Sequence, residues 1–157
     1  MFILNDFSTS VRRALEEICP DYKSLAGLVI CGTHNQQNVD EMIDAIRNAR
    51  RAKIPTLLIC AGHQLGAIQW VRDNGIPDAT SEEFGEGTFV VKKRKEPKIG
   101  LHDGESWWSY FEVDKDIEER YMETLPDFFF SVAFHPEYQS SKFAPHPILE
   151  QFIKLCK

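Results

Sequence analysis

Closely spaced cysteines are absent from this 157-residue chain: Cys19, Cys31, Cys60 and Cys156 stand far apart and no C-x-x-C occurs. That excludes a zinc ribbon and a dense disulfide scaffold. Positive charge is also scarce, with 18 Lys and Arg against 24 Asp and Glu and a net charge of −6. No global basic field exists to hold a nucleic-acid backbone. Long apolar runs are missing as well. Stretches such as Leu57-Leu58-Ile59-Cys60-Ala61-Gly62 fall far below the roughly 20 residues that span a bilayer, and the N-terminus has no basic segment leading into an apolar one. A soluble, cytoplasmic protein is expected, with neither nucleic acid nor membrane as partner. No histidines have H-x-x-x-H or H-E-x-x-H spacing and no G-x-x-x-x-G-K-[ST] loop occurs. Neither a metal nor another cofactor is expected, nor any means of activating a nucleotide.

What is present suits one compact domain over residues 1–157, with 43% hydrophobic and 11% aromatic residues. Met1 to Leu4 is a short apolar run, and Val11, Ala14, Leu15 and Ile18 recur at helical spacing until Pro20. Leu28-Val29-Ile30-Cys31 reads as a buried strand ending at Gly32. Val39, Met42, Ile43 and Ile46 mark one face of a helix whose other face carries Asp40, Glu41, Asp44 and Arg47. Thr56 to Ile59 is again a strand, and it runs into a helix from Ala61 to about Arg72 that Asn74-Gly75 stops. Strands alternating with helices predict an α/β, three-layer fold on a mainly parallel sheet, with its site at the C-terminal strand ends.

From Thr80 to Val113 the glycines Gly85, Gly87, Gly100 and Gly104 punctuate short β-rich pieces, which predicts a small antiparallel extension. Within it, Lys92-Lys93-Arg94-Lys95 with Lys98 is the one basic cluster, read as a solvated hairpin end in preference to a docking surface. Trp107 and Trp108 point to opposite faces of a strand, which places at least one in a core. Phe128 to Phe134 returns to a buried strand, and Ile148, Leu149, Phe152, Ile153 and Cys156 make an amphipathic helix after Pro147.

Chemistry concentrates at two places. In Leu57-Leu58-Ile59-Cys60-Ala61-Gly62-His63-Gln64 a buried strand passes straight into a helix with a cysteine at the junction. That is the layout of a nucleophile elbow, and the helix N-terminus behind it favours a thiolate. A buried structural cysteine satisfies the same position. In Phe134-His135-Pro136-Glu137 a histidine and then a carboxylate follow a buried strand. His135 could deprotonate Cys60 while Glu137 accepts from the far ring nitrogen, though a surface turn also fits. His63 packs on the elbow helix in this reading.

Taken in order, these segments resemble the class I glutamine amidotransferases, and most of all the glutaminase domains of CTP synthases, over roughly residues 25 to 155. Cys31-Gly32-Thr33-His34 falls where the family has its oxyanion strand, and Ile59 to Gln64 looks like its nucleophile motif. Ala79-Thr80-Ser81-Glu82-Glu83-Phe84 resembles the segment whose glutamate contacts glutamine, and Tyr110-Phe111-Glu112-Val113 the loop before the last core strand. His135-Pro136-Glu137 matches the catalytic His-Pro-Glu, and His146-Pro147 with the closing helix fits too. The resemblance implies a flavodoxin-like fold with Cys60 as nucleophile, His135 as general acid and base, and Glu137 as its orienter. It further implies an oxyanion hole from the N–H groups of Thr33 and Ala61, and substrate contacts from Gly32, His34, Gln64, Glu83 and Tyr110. Three positions depart from the family pattern: Leu58 and Thr33 where glycines are usual, and Tyr110 where CTP synthases carry an arginine.

The function expected on this basis is hydrolysis of the side-chain amide of L-glutamine through a γ-glutamyl thioester, with ammonia passed to a separate synthetase. A γ-glutamyl hydrolase acting alone, and a non-catalytic glutamine-binding or scaffolding module, are the alternatives.

Overall fold

The computed structural model describes residues 1–33, 35–102 and 105–157, and the side chains of these apart from 99–108. His34, expected to border the substrate, lies outside the described residues, as do the side chains of Trp107 and Trp108. The chain runs β1 (Phe2–Leu4), α1 (Thr9–Ile18), β2 (Leu28–Ile30), α2 (Val39–Ala52), β3 (Thr56–Ile59) and α3 (Ala61–Asp73). It continues through β4 (Ala79–Ser81), β5 (Thr88–His102), β6 (Glu105–Val113), α4 (Lys115–Glu123), β7 (Phe129–Val132) and α5 (Pro147–Cys156). β1, β2, β3 and β7 form one sheet in that order, every pair parallel.

Both faces of this sheet are buried, which is why its strands read as continuous apolar runs. Alternation assigns each residue to a layer. Ile30 and Leu58 pack with Ile43 and Ile46 of α2, Leu65 and Ile68 of α3, and Tyr121 of α4. Val29, Leu57 and Ile59 pack on the opposite side with Val11 and Leu15 of α1 and Phe152 and Ile153 of α5. The result is the α/β three-layer fold expected. No helix of the described residues is long and apolar enough to cross a membrane.

The extension differs from expectation. β4, β5 and β6 make a separate sheet in which β4 and β5 are parallel and only β5 and β6 antiparallel. β5 is one long strand where short pieces were expected, and its pairing with β6 shifts register between Lys93 and Lys98. Pro97 sits inside that shift, where its missing N–H costs no ladder hydrogen bond. β2 and β7 are shorter than their apolar runs. Cys31, just past β2, still donates its N–H to the Leu4 carbonyl at 3.0 Å. Helix α4 has a single fully buried side chain, Tyr121, and so a weak periodic signal. Its N-cap is Asp114, whose side chain accepts from the Asp116 N–H at 3.2 Å.

Candidate active site

The parallel pairing of β3 with β7 aligns Ile59 with Val132, and the Cys60 N–H donates to the Val132 carbonyl at 2.9 Å. Cys60 therefore leaves the sheet beside the strand that delivers His135. Its backbone sits at φ 53°, ψ −104°, a conformation that L residues avoid and that persists only where the surroundings enforce it. Part of the enforcement is Gly62. A Cβ there would lie 2.3 Å from the Ile30 carbonyl oxygen, so α3 can begin this close to β2 only with a glycine. Gly32 makes a similar approach from the neighbouring strand, where a Cβ would come 3.0 Å from His135 Cε1 and 3.5 Å from Cys60 Cβ.

His135 and Glu137 are buried, with Nδ1 and Oε1 2.7 Å apart. The ring's other nitrogen is left for Cys60, with which His135 is hydrogen-bonded. Burial works against a charge on His135, but the hydrogen bonds to Cys60 and Glu137 outweigh it and push its pKa up to about 9. Glu137 Oε2 has no hydrogen-bond partner among the described residues, so the carboxylate is directed at the imidazole alone. A thiol, an imidazole and a carboxylate are thus joined in sequence by hydrogen bonds, an arrangement that nucleophilic catalysis can use. Cys31 is a different kind of thiol. Burial first, then the negative charge of Glu137, pushes it up to about 12, which suits an inert core residue.

Cys60 opens on a cavity of about 320 Å³. Thr33, Ala61, Gln64, Glu83 and Tyr110 line it with Cys60, so five more of the expected site residues share one space with the thiol. Gln64 Nε2 donates weakly to the Phe111 carbonyl at 3.4 Å, and burial pushes the Glu83 carboxyl up. A second cavity of about 240 Å³ adjoins the first, sharing Cys60, Gln64, Ser109 and Phe111, and it brings in Arg94 and Lys98. Arg94 is thus not part of a purely solvated cluster.

A buried polar chain also went unseen in the sequence. Tyr121 OH donates to Ser131 Oγ at 2.9 Å, Ser131 Oγ lies 2.8 Å from His63 Nδ1, and His63 Nε2 lies 2.6 Å from Glu118 Oε1. It ties α3, α4 and β7 together directly behind Cys60. The hydrogen bond from His63 lowers the Glu118 pKa, and burial pushes Tyr121 up to about 12. His63 and Ser131 are polar in otherwise apolar segments, which is a hint the sequence carries, while Glu118 sits among other charges on α4.

The architecture matches a solved structure described as the Trypanosoma brucei CTPS glutaminase domain with bound acivicin. The TM-score is 0.77 at 21% identity, over 99% of this chain and 92% of that one. Among curated proteins, CTP synthase of Methanoregula boonei is 29% identical over 182 residues, covering 86% of this chain and 35% of that protein. CTP synthase of Pelagibacter ubique is 28% identical over 206 residues, covering 94% of this chain and 38% of that protein. The chain thus spans little more than a third of the length of these relatives. Residues 5–106 match the family model "Glutamine amidotransferase class-I", which takes in α1 through β5 and the first residues of β6, including the elbow. The chain belongs to the class I glutamine amidotransferase family.

Proposed function

We propose that this protein hydrolyses the side-chain amide of L-glutamine at Cys60 and supplies the ammonia, in the cytoplasm, to a separate synthetase. The observation that carries the reading is the strained Cys60 hydrogen-bonded to a His135 that Glu137 holds from behind. In this reaction the Cys60 sulfur attacks the amide carbon, and the carbonyl oxygen becomes an oxyanion facing the N–H groups of Thr33 and Ala61. The C–N bond then breaks as His135 gives its proton to the departing nitrogen, leaving a γ-glutamyl thioester. His135 next takes a proton from water as the water oxygen attacks the thioester carbon, and glutamate leaves with the thiolate restored. A His135 pKa of about 9 keeps that first proton in place at neutral pH. A synthetase partner is supported by the CTP synthase relatives, whose length is nearly three times the matched region.

The test is intact-mass spectrometry after exposure to an electrophilic glutamine analogue, with L-glutamine as competitor and Cys60→Ala and His135→Ala as controls. A glutamine-protected adduct lost in both variants is the expected outcome. No adduct on the wild-type protein, with candidate synthetases added, refutes the proposal.

A further inference from the structure

A glutamine molecule brings two charges besides its amide, an α-ammonium and an α-carboxylate, and a site that buries either one must answer it. Around Cys60 the answer to the ammonium is near. Glu83 is the only Asp, Glu, Lys or Arg residue among the described residues that line the first cavity. Among the described residues of that cavity no cation answers the carboxylate: Tyr110, at the position where the family resemblance calls for an arginine, carries no positive charge. The cations nearby are in the adjoining cavity, on β5.

Arg94 has donor capacity that no described protein group takes up. Its Nη1 is held by Glu112 Oε2 at 2.8 Å, while its Nε is buried and has no hydrogen-bond partner among the described residues. Nε and Nη2 together form the guanidinium edge that grips a carboxylate with two parallel hydrogen bonds. The same protein shows that edge in use. Arg47 gives Nη1 to Asp44 and turns Nε and Nη2 onto Asp73, at 3.0 and 2.8 Å. Arg94 has the first half of this arrangement and lacks the second.

Backbone contacts place Arg94 near Glu83. The Glu82 N–H donates to the Val91 carbonyl at 3.0 Å, and the Lys93 N–H donates to Glu82 Oε2 at 2.6 Å. These contacts join the segment that carries Glu83 to the one that carries Arg94, and the two residues line adjoining cavities that share Cys60, Gln64, Ser109 and Phe111. We infer that the Nε edge of Arg94 receives the α-carboxylate of the substrate while Glu83 receives its α-ammonium, so that an arginine on β5 replaces one absent from β6. This rests on the glutaminase reading and adds to it the group that selects an amino acid over a simple amide.

Three amides separate the roles: L-glutamine, 4-aminobutanamide, which lacks the carboxylate, and glutaramate, which lacks the ammonium. Ammonia release is measured for the full chain and for Arg94→Gln. The variant is expected to lose about 10- to 100-fold in kcat/KM for glutamine and glutaramate, mostly through KM, as fits loss of a charged hydrogen-bond partner. With 4-aminobutanamide it is expected to match the wild type. An equal loss on all three amides, or a glutamine KM unchanged in Arg94→Gln, overturns the inference and leaves glutamine hydrolysis standing. A wild-type protein that releases no ammonia from any of them overturns the glutaminase reading and this inference together.

Discussion

Replacing Cys60 by glycine should make the protein more stable than replacing it by alanine, the reverse of the usual order. Both substitutions remove the sulfur and its hydrogen bond to His135, so those losses cancel in the comparison. What remains is one Cβ on a backbone at φ 53°, ψ −104°. Holding a non-glycine residue in so sparsely populated a region costs about 1–3 kcal/mol, while glycine gives back roughly 0.5–1 kcal/mol through the greater freedom of its unfolded chain. The difference favours Cys60→Gly by about 1 kcal/mol, or roughly 2–4 °C in Tm for a chain of this size. Urea unfolding at neutral pH, with equal m-values as the check that only stability changed, reads it directly. A matched control is Met122, exposed within α4, where Met122→Ala should exceed Met122→Gly by about 1 kcal/mol. If alanine equals or exceeds glycine at position 60 while the control behaves, the elbow stores no strain and the argument built on it is wrong.

Three further outcomes follow from the same geometry. Gly62→Ala would set a Cβ 2.3 Å from the Ile30 carbonyl oxygen. The clash should cost about 2–3 kcal/mol in urea unfolding and slow labelling of Cys60, since relief requires α3 to draw back from β2; an unperturbed variant would show the spacing to be looser. Ser131→Ala removes the partner of both Tyr121 OH and His63 Nδ1 and should cost about 2 kcal/mol, with Ser131→Thr restoring part of it; no loss on alanine would show that the chain does not hold α3 and α4 to β7. His135, raised from 6.5 to about 9 on folding, adds stability that is complete below pH 6.5 and lost as pH rises through 9, roughly 3 kcal/mol over that window. Glu137→Gln should flatten this decline in unfolding curves taken at pH 6, 7.5 and 9.5, and parallel curves for the two proteins would exclude Glu137 as a cause of the shift.

The sequence made the βαβα order and the two chemical segments legible because each is a local signal. Buried strands of four or so residues, helices with one apolar face, Pro147 at a helix start and small residues after Cys60 all act within one or two turns of chain. The long β5 was hidden because Pro97 and the glycines around it mimic loop chemistry, while the strand is held by pairing with β6. Ser131, His63 and Glu118 read as an ordinary serine, a helix histidine and a surface glutamate, since what joins them is the docking of α4 and β7 onto α3. Arg94 disappeared into a lysine-rich run. Only the fold gives it Glu112 on one side and leaves its Nε without a partner among the described residues.

The adjacency of β3 and β7 has a consequence in time. Cys60 leaves the ribosome well before His135 and Glu137, so the sulfur exists before either of the side chains that will flank it. Until β7 docks on β3, Cys60 has neither His135 beside it nor the Val132 carbonyl to take its N–H. Closing so long a loop is late and entropically costly. If Cys60 works as proposed, a growing or partly unfolded chain carries it without its histidine, and the labelling rate of Cys60 becomes a report on whether β7 has joined the sheet.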